Sequence, residues 1–230
     1  MTDFLASSVF MGTALTLAAY EVGLWCRKKW KIGIFNPLLV AIILVVGFLA
    51  VTGVPAQVYQ SSARYVSFLL TPATVCLAIP LYEQLELLKK NALAILAGVL
   101  AGVLTSVTLV LAFALLFRFD HSEYVTFLPK SITTAIGMGV SEQMGGNVSI
   151  TIITIIITGV LGNILAEPIL KLFRIHNPIA KGVGLGSAAH AIGTAKAMEL
   201  GEIEGAMSGL SIAVAGLVTV VAAVIFGTIY

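Results

Sequence analysis

The chain has 230 residues, 59% of them hydrophobic and only 10% charged, with a mean hydropathy of +1.05. Soluble domains carry roughly 25% charged residues, so the composition excludes a soluble globular protein and describes a polytopic, all-α membrane protein. The formal net charge of +2 says little about partners, because the placement of Lys and Arg carries the information in such a chain, and no nucleic-acid partner is expected.

About six full spans are predicted, taking roughly 20 apolar residues per crossing helix. The first covers 4–26, and Arg27, Lys28, Lys29 and Lys31 follow it. The start MTDF has no basic region ahead of the apolar run, so no cleavable signal peptide is expected. The second span, 32–51, is interrupted by Asn36 and Pro37, with an amide able to satisfy the break. The third, 63–82, is broken by Pro72 and Pro80, each of which removes an intrahelical hydrogen bond. The bland reading of those prolines is a kinked packing helix. Spans at 92–117, 147–170 and 206–230 complete the set. Nine of the thirteen Lys and Arg residues fall in alternate loops, after the first, third and fifth spans. The positive-inside rule makes those loops cytoplasmic and places both termini outside.

The assignment requires 125–146 and 183–205 to leave and return on one side each. Both contain a copy of one motif: SITTAIG at Ser131–Gly137 and SAAHAIG at Ser187–Gly193, a constant offset of 56 positions. With one apolar span between them, the copies would enter from opposite faces, as in transporters built from inverted repeats with interrupted helices. The alternative is full crossing by both segments, which would place Lys171, Arg174 and Lys181 outside. The organisation expected is one integral membrane domain, 1–230. It comprises N-terminal spans over 1–117, a first repeat unit at 125–173 and a second at 183–230. A weaker echo, PATVCLAIP, lies in the broken third span.

Charge at membrane depth costs about 2.5 to 3.5 kcal/mol per residue even on lenient scales. Lys130 opens the first copy, and His190, Lys196 and Glu199 lie in or just after the second. If Ser131 and Ser187 cap half-helices, two positive dipole ends face each other across the membrane. With Lys130 and the hydroxyls of Thr133, Thr134 and Thr194, the lining suits a small carboxylate. Asn36 and Thr74, polar groups at the other two breaks, join the candidate lining. Duller readings stand beside these. Lys130 could snorkel, or pair with Glu142 if the chain folds back, and His190 could be a neutral packing residue. Lys196 and Glu199, at i and i+3, suit a local ion pair, as Glu167 and Lys171 do at i and i+4. Glu202 and Glu204 are expected to face cytoplasmic solvent, and the Gly98/Gly102 and Gly205/Gly209 pairs to allow close helix packing.

Enzyme readings fare poorly, and no cofactor or metal is expected. The only aspartates, Asp3 and Asp120, are expected in solvent, and no HExxH occurs. Ser187 and His190 on one helix give no attack geometry by themselves. Cys26 and Cys76 read as inert small hydrophobes. A homodimer is expected, since small membrane proteins with mobile cores often need a partner protomer as a fixed frame.

The runs LLTPATVCLAIPLYEQ, LPKSITTAIGMGVSEQMGG and KGVGLGSAAHAIGTAKAMELGEIEGAMSGL, with NPLL at Asn36, cover nearly the whole chain. They resemble the LrgB/CidB family of bacterial membrane proteins. The resemblance implies a bacterial inner-membrane protein, often accompanied by a small holin-like partner and named for effects on murein hydrolase activity and autolysis. It also implies kinship with pyruvate carriers and with a plastid branch that moves glycolate and glycerate. Two functions are thus expected: secondary transport of a small monocarboxylate, or regulation of autolysis with a holin-like partner.

Overall fold

The computed structural model describes residues 8–30, 35–69, 72, 75–76 and 78–230, and every regular element among them is helical. The chain divides into two compact units, Met1–Cys76 and Leu77–Tyr230.

In the first unit, α1 (Met11–Trp30) packs against α2 (Pro37–Thr52), α3 (Ala56–Ser62) and α4 (Arg64–Phe68). Asn36 and Pro37 start α2 rather than interrupting a helix. The Asn36 Oδ1 accepts from the amides of Leu38 and Leu39 at 2.9 and 3.3 Å, and Pro37 fills the first turn, where its missing N–H costs nothing. Gly12 lets α1 close on α3, with its amide donating to Ser62 Oγ at 2.9 Å.

The second unit begins with α5 (Ala78–Glu83) and α6 (Leu85–Lys90). The expected third span over 63–82 is not one continuous helix among the described residues; Pro80 lies within α5 rather than breaking a helix, and most residues around Pro72 lie outside the described ones. Three helices of the unit are long and apolar enough to cross a membrane: α7 (Ala92–Phe117), α10 (Val148–Leu172) and α12 (Glu202–Gly227). They coincide with three of the six expected spans. The helix α2 is apolar but shorter, at 16 residues.

Between these spans the chain makes two hairpins. The first comprises α8 (His121–Phe127), a turn, and α9 (Thr134–Gln143). Its two ends meet: Ser122 Oγ donates to the Gly145 carbonyl at 3.0 Å, and the Asn147 amide donates to Thr126 Oγ1 at 2.7 Å. The Thr151 hydroxyl, at the start of α10, lies within hydrogen-bond reach of the Thr126 carbonyl and of Ser141 Oγ. The C-termini of α7 and α12 lie at the same end, since Tyr124 Oη donates to the Phe226 carbonyl at 3.0 Å and Tyr230 Oη to the Phe119 carbonyl at 2.7 Å.

The second hairpin is α11 (Pro178–Leu200), broken at Ala189 (φ −131°, ψ 16°) and His190 (φ 43°, ψ −137°). Its arms fold back on each other, so that Gly193 abuts the Leu185 carbonyl and Leu185, Ala197 and Leu200 share a cluster with Ala166. The first arm runs against α10, from Leu185 beside Ala166 to Ala189 beside Gly162. The second runs with it, from Ile192 beside Asn163 to Lys196 beside Glu167. Each hairpin therefore leaves and returns at one end of α10, the first at its N-terminus and the second at its C-terminus. Neither segment runs the length of α10.

Small residues permit this packing. A Cβ on Gly186 would collide with the Ser208 backbone, whereas one on Gly209 would meet nothing within 4 Å. Gly98 and Gly102 of α7 face Val183 and Ser187, as the small-residue spacing predicts, while Gly209 corrects the same expectation for its pair. Gly186→Ala is expected to destabilise by about 1–3 kcal/mol. Gly209→Ala is expected to be neutral or to stabilise by up to about 1 kcal/mol. Paired thermal melts in detergent check both.

Candidate functional site

The hairpin tips meet along one face of α7. Gly98, Gly102 and Ser106 are spaced by four residues, hence stacked on that face. Gly98 receives Val183, Gly102 receives Ser187, and Ser106 Oγ lies 3.0 Å from Ser131 Oγ. The tip of the first hairpin is thus one helical turn, about 5.4 Å, from the second hairpin's Ser187. A turn held by Lys130 N donating to the Phe127 carbonyl and Ile132 N to the Pro129 carbonyl shapes the first tip.

Lys130 is half-buried there, and its Nζ donates to Ser106 Oγ and Ser131 Oγ, each at 3.2 Å. No carboxylate among the described residues lies within ion-pair reach of it. An ammonium has three donors, so one N–H is unspent. In the Ser106–Ser131 pair one hydroxyl donates to the other, which leaves one O–H free as well. Beside them Thr133 caps α9 with no side-chain hydrogen bond, and Thr134 opens the helix, so the first-turn amides have no side-chain acceptor. A positive charge, a hydroxyl donor and a helix N-terminus converge, the set that recognises a small oxyanion.

The expected caps are corrected. Ser131 precedes the α9 cap by two residues, and Ser187 lies within the first arm of α11, donating to the Val183 carbonyl at 2.7 Å. A polar side chain inside a turn of helix bonds back to the i−4 carbonyl when no free amide lies ahead of it. The breaks nonetheless fall at matching positions of the two copies, Thr133 and Ala189, again 56 apart.

His190 is buried at 4% exposure, and its Nε2 lies 3.0 Å from the Ile155 carbonyl, so that nitrogen carries the proton. Its ring sits where Gly159 has no side chain, and the Ile155 side chain also abuts Gly137 of the first hairpin. One turn of α10 thereby seats both hairpins. Thr194 is fully buried, bonded to the His190 carbonyl at 3.1 Å and to Ser208 Oγ at 2.7 Å.

The remaining candidates sit elsewhere. Lys196 and Glu199 do form the local pair, at 3.2 Å, and Lys196 also donates to Glu167 Oε1 at 2.6 Å. Glu167 keeps its expected partner Lys171 at 3.6 Å. Glu142 is exposed at the far end of α9 and has no ion-pair partner among the described residues, although the chain does fold back. Glu204 corrects the expectation of a solvated residue, being buried 3.5 Å from Lys181, while Glu202 is exposed. Asn36 is engaged in capping α2, and Thr74 lies outside the described residues. Cys26 and Cys76 are free, and no cluster among the described residues could hold a metal ion. Ser106, Ser208 and Gly159 escape sequence reasoning. Only Ser106 had a signal, as the next step in the Gly98, Gly102 spacing.

Comparison with known proteins matches residues 16–229 to the LrgB-like family. The antiholin-like protein LrgB of Bacillus subtilis is 38% identical over 220 residues, covering 95% of either chain. Those of Bacillus mycoides and Bacillus cereus are 38% identical over 213 residues, covering 92% of this chain and 93% of theirs. No solved structure gives a significant match. With its apolar spans and this agreement along nearly its whole length, the chain is a membrane protein and belongs to the LrgB-like family.

Proposed function

We propose that the protein is a secondary carrier of a small monocarboxylate such as pyruvate, glycolate or lactate, bound between the two hairpin tips. The observation that carries this reading is Lys130, an ammonium at membrane depth whose partners among the described residues are two serine hydroxyls and no carboxylate. One unpaired cation matches one negative charge, and the unspent hydroxyl suits a second oxygen on the ligand. The hairpins act as an inverted repeat in which the first tip presents Lys130, Ser131, Thr133 and Thr134, while Ser187, His190 and Thr194, bonded to the Val183 and Ile155 carbonyls and to Ser208, hold the shape of the facing tip. The basic end of α10 faces the cytoplasm, and by the same charge rule, applied to the loops, both termini lie outside a bacterial inner membrane. The carrier is not an enzyme, and a homodimer supplies its fixed frame. Uptake of labelled pyruvate, glycolate or lactate into liposomes tests it. Loss of uptake in Lys130→Ala and His190→Ala supports the site, and unchanged uptake in both overturns it.

A second reading draws on the relatives' names, which favour it more directly than the first. As an antiholin-like protein, the chain would regulate murein hydrolase activity and autolysis through a small holin-like membrane partner. That reading expects a lytic phenotype that survives both substitutions and is lost when partner binding is disrupted.

A further inference from the structure

At the end of the unit where α10 finishes, charge holds the second hairpin. Lys181 on its first arm pairs with Glu204 of α12 at 3.5 Å, and Lys196 on its second arm pairs with Glu167 of α10 at 2.6 Å. Each arm is thus tied to a different framework helix by one ion pair. The first hairpin, at the opposite end, is closed by Ser122, Thr126, Ser141 and Thr151 through hydroxyl and backbone bonds, with no ion pair among the described residues. The two closures differ physically. The Ser122 bond is exposed, but the Thr151 hydroxyl, torn from its buried partners Thr126 and Ser141, bears the full desolvation cost. An ion at a water-facing mouth recovers hydration as its pair opens, so the open and closed arrangements lie closer in free energy. In each pair one partner is buried and the other reaches further toward water: Glu167 is 44% exposed against 9% for Lys196, and Lys181 24% against 11% for Glu204, so the Lys181–Glu204 pair is the more enclosed of the two.

We infer that the Lys181–Glu204 and Lys196–Glu167 pairs latch the access path to the hairpin tips at this end. Closed, they pin both arms against α10 and α12 and bury Ser187. Open, they release the hairpin to rock about its connections, residues 173–177 and Gly201, and expose the tip to that face alone. This inference rests on the carrier reading, but its test does not use transport. In a full chain carrying C26S, C76S and S187C, the rate of labelling by a membrane-impermeant maleimide is measured in vesicles of both orientations. E204Q and K181M are each expected to raise labelling about tenfold from the face where α10 ends, and not from the other. The reversed pair K181E/E204K is expected to return the rate to within about threefold of the parent, short of full recovery because a lysine then sits at a helix N-terminus. Unchanged labelling in the single variants, an equal rise from both faces, or no recovery in the reversed pair overturns the latch. A latch that responds, while the protein without the S187C substitution shows no uptake, would instead count against the carrier reading.

Discussion

Lys130→Met is expected to weaken substrate binding about a hundredfold while leaving the fold as stable as before, or more stable. The two signs have one cause. The ammonium is half-buried against two hydroxyls and gains no carboxylate among the described residues, so its desolvation is poorly offset. An apolar chain of similar volume removes that cost, and the Ser106–Ser131 bond at 3.0 Å can persist without it. A bound carboxylate, in contrast, loses its only countercharge, at a cost on the order of 3 kcal/mol, or about a hundredfold in affinity. Lys130→Arg keeps the charge but carries a planar fork into a niche shaped for a compact ammonium, so partial binding is expected. Thermal melts and ligand-dependent melting shifts, measured on the same detergent samples, separate the two effects. A residue serving only the fold would lose stability together with binding.

The second large effect concerns the backbone at His190. At φ 43° and ψ −137° it occupies a region that favours glycine, and such strain costs of order 1–3 kcal/mol. The histidine is held there by its Nε2 bond to the Ile155 carbonyl and by the space left at Gly159. His190→Ala keeps the strain and removes what offsets it, whereas His190→Gly removes both. The glycine variant is therefore expected to be more stable than the alanine variant by about 1 kcal/mol or more, reversing the usual helix order, in which alanine leads by about 1 kcal/mol. Melting temperatures of the two variants check this, and an alanine variant as stable as the glycine one would contradict the strained tip. Both are expected to lose uptake, because the ring seats the second tip on α10.

Much of this arrangement was legible in the sequence where a pattern is local. The spans at 92–117, 147–170 and 206–230 stand out because a crossing helix must be apolar along its whole length, and α7, α10 and α12 lie within a few residues of them. The motif copies marked both breaks because interrupted helices need small residues at the turn. What is set by contacts distant in sequence was not legible. Glu204 looks like an exposed residue in the first turn of α12, and only the return of the first arm brings Lys181 to it. Ser131 and Ser187 looked like caps because they begin the copies, yet the helix starts after Thr133 in one and after the His190 break in the other. Ser106 is one hydroxyl among many in an apolar helix, and its role depends on a tip 24 residues further on. From Ala56 to Lys90 the described residues fall into short helices, with breaks at Ala63 and Gln84 that no proline marks and Pro80 inside one of the pieces.

The most direct measurement is an experimental structure of the protein in lipid with a saturating small monocarboxylate. The account predicts ligand density between Ser131 and Ser187, with a carboxylate oxygen about 2.7–2.9 Å from Lys130 Nζ. A ligand bound elsewhere, or empty tips in a preparation that still transports, would contradict it.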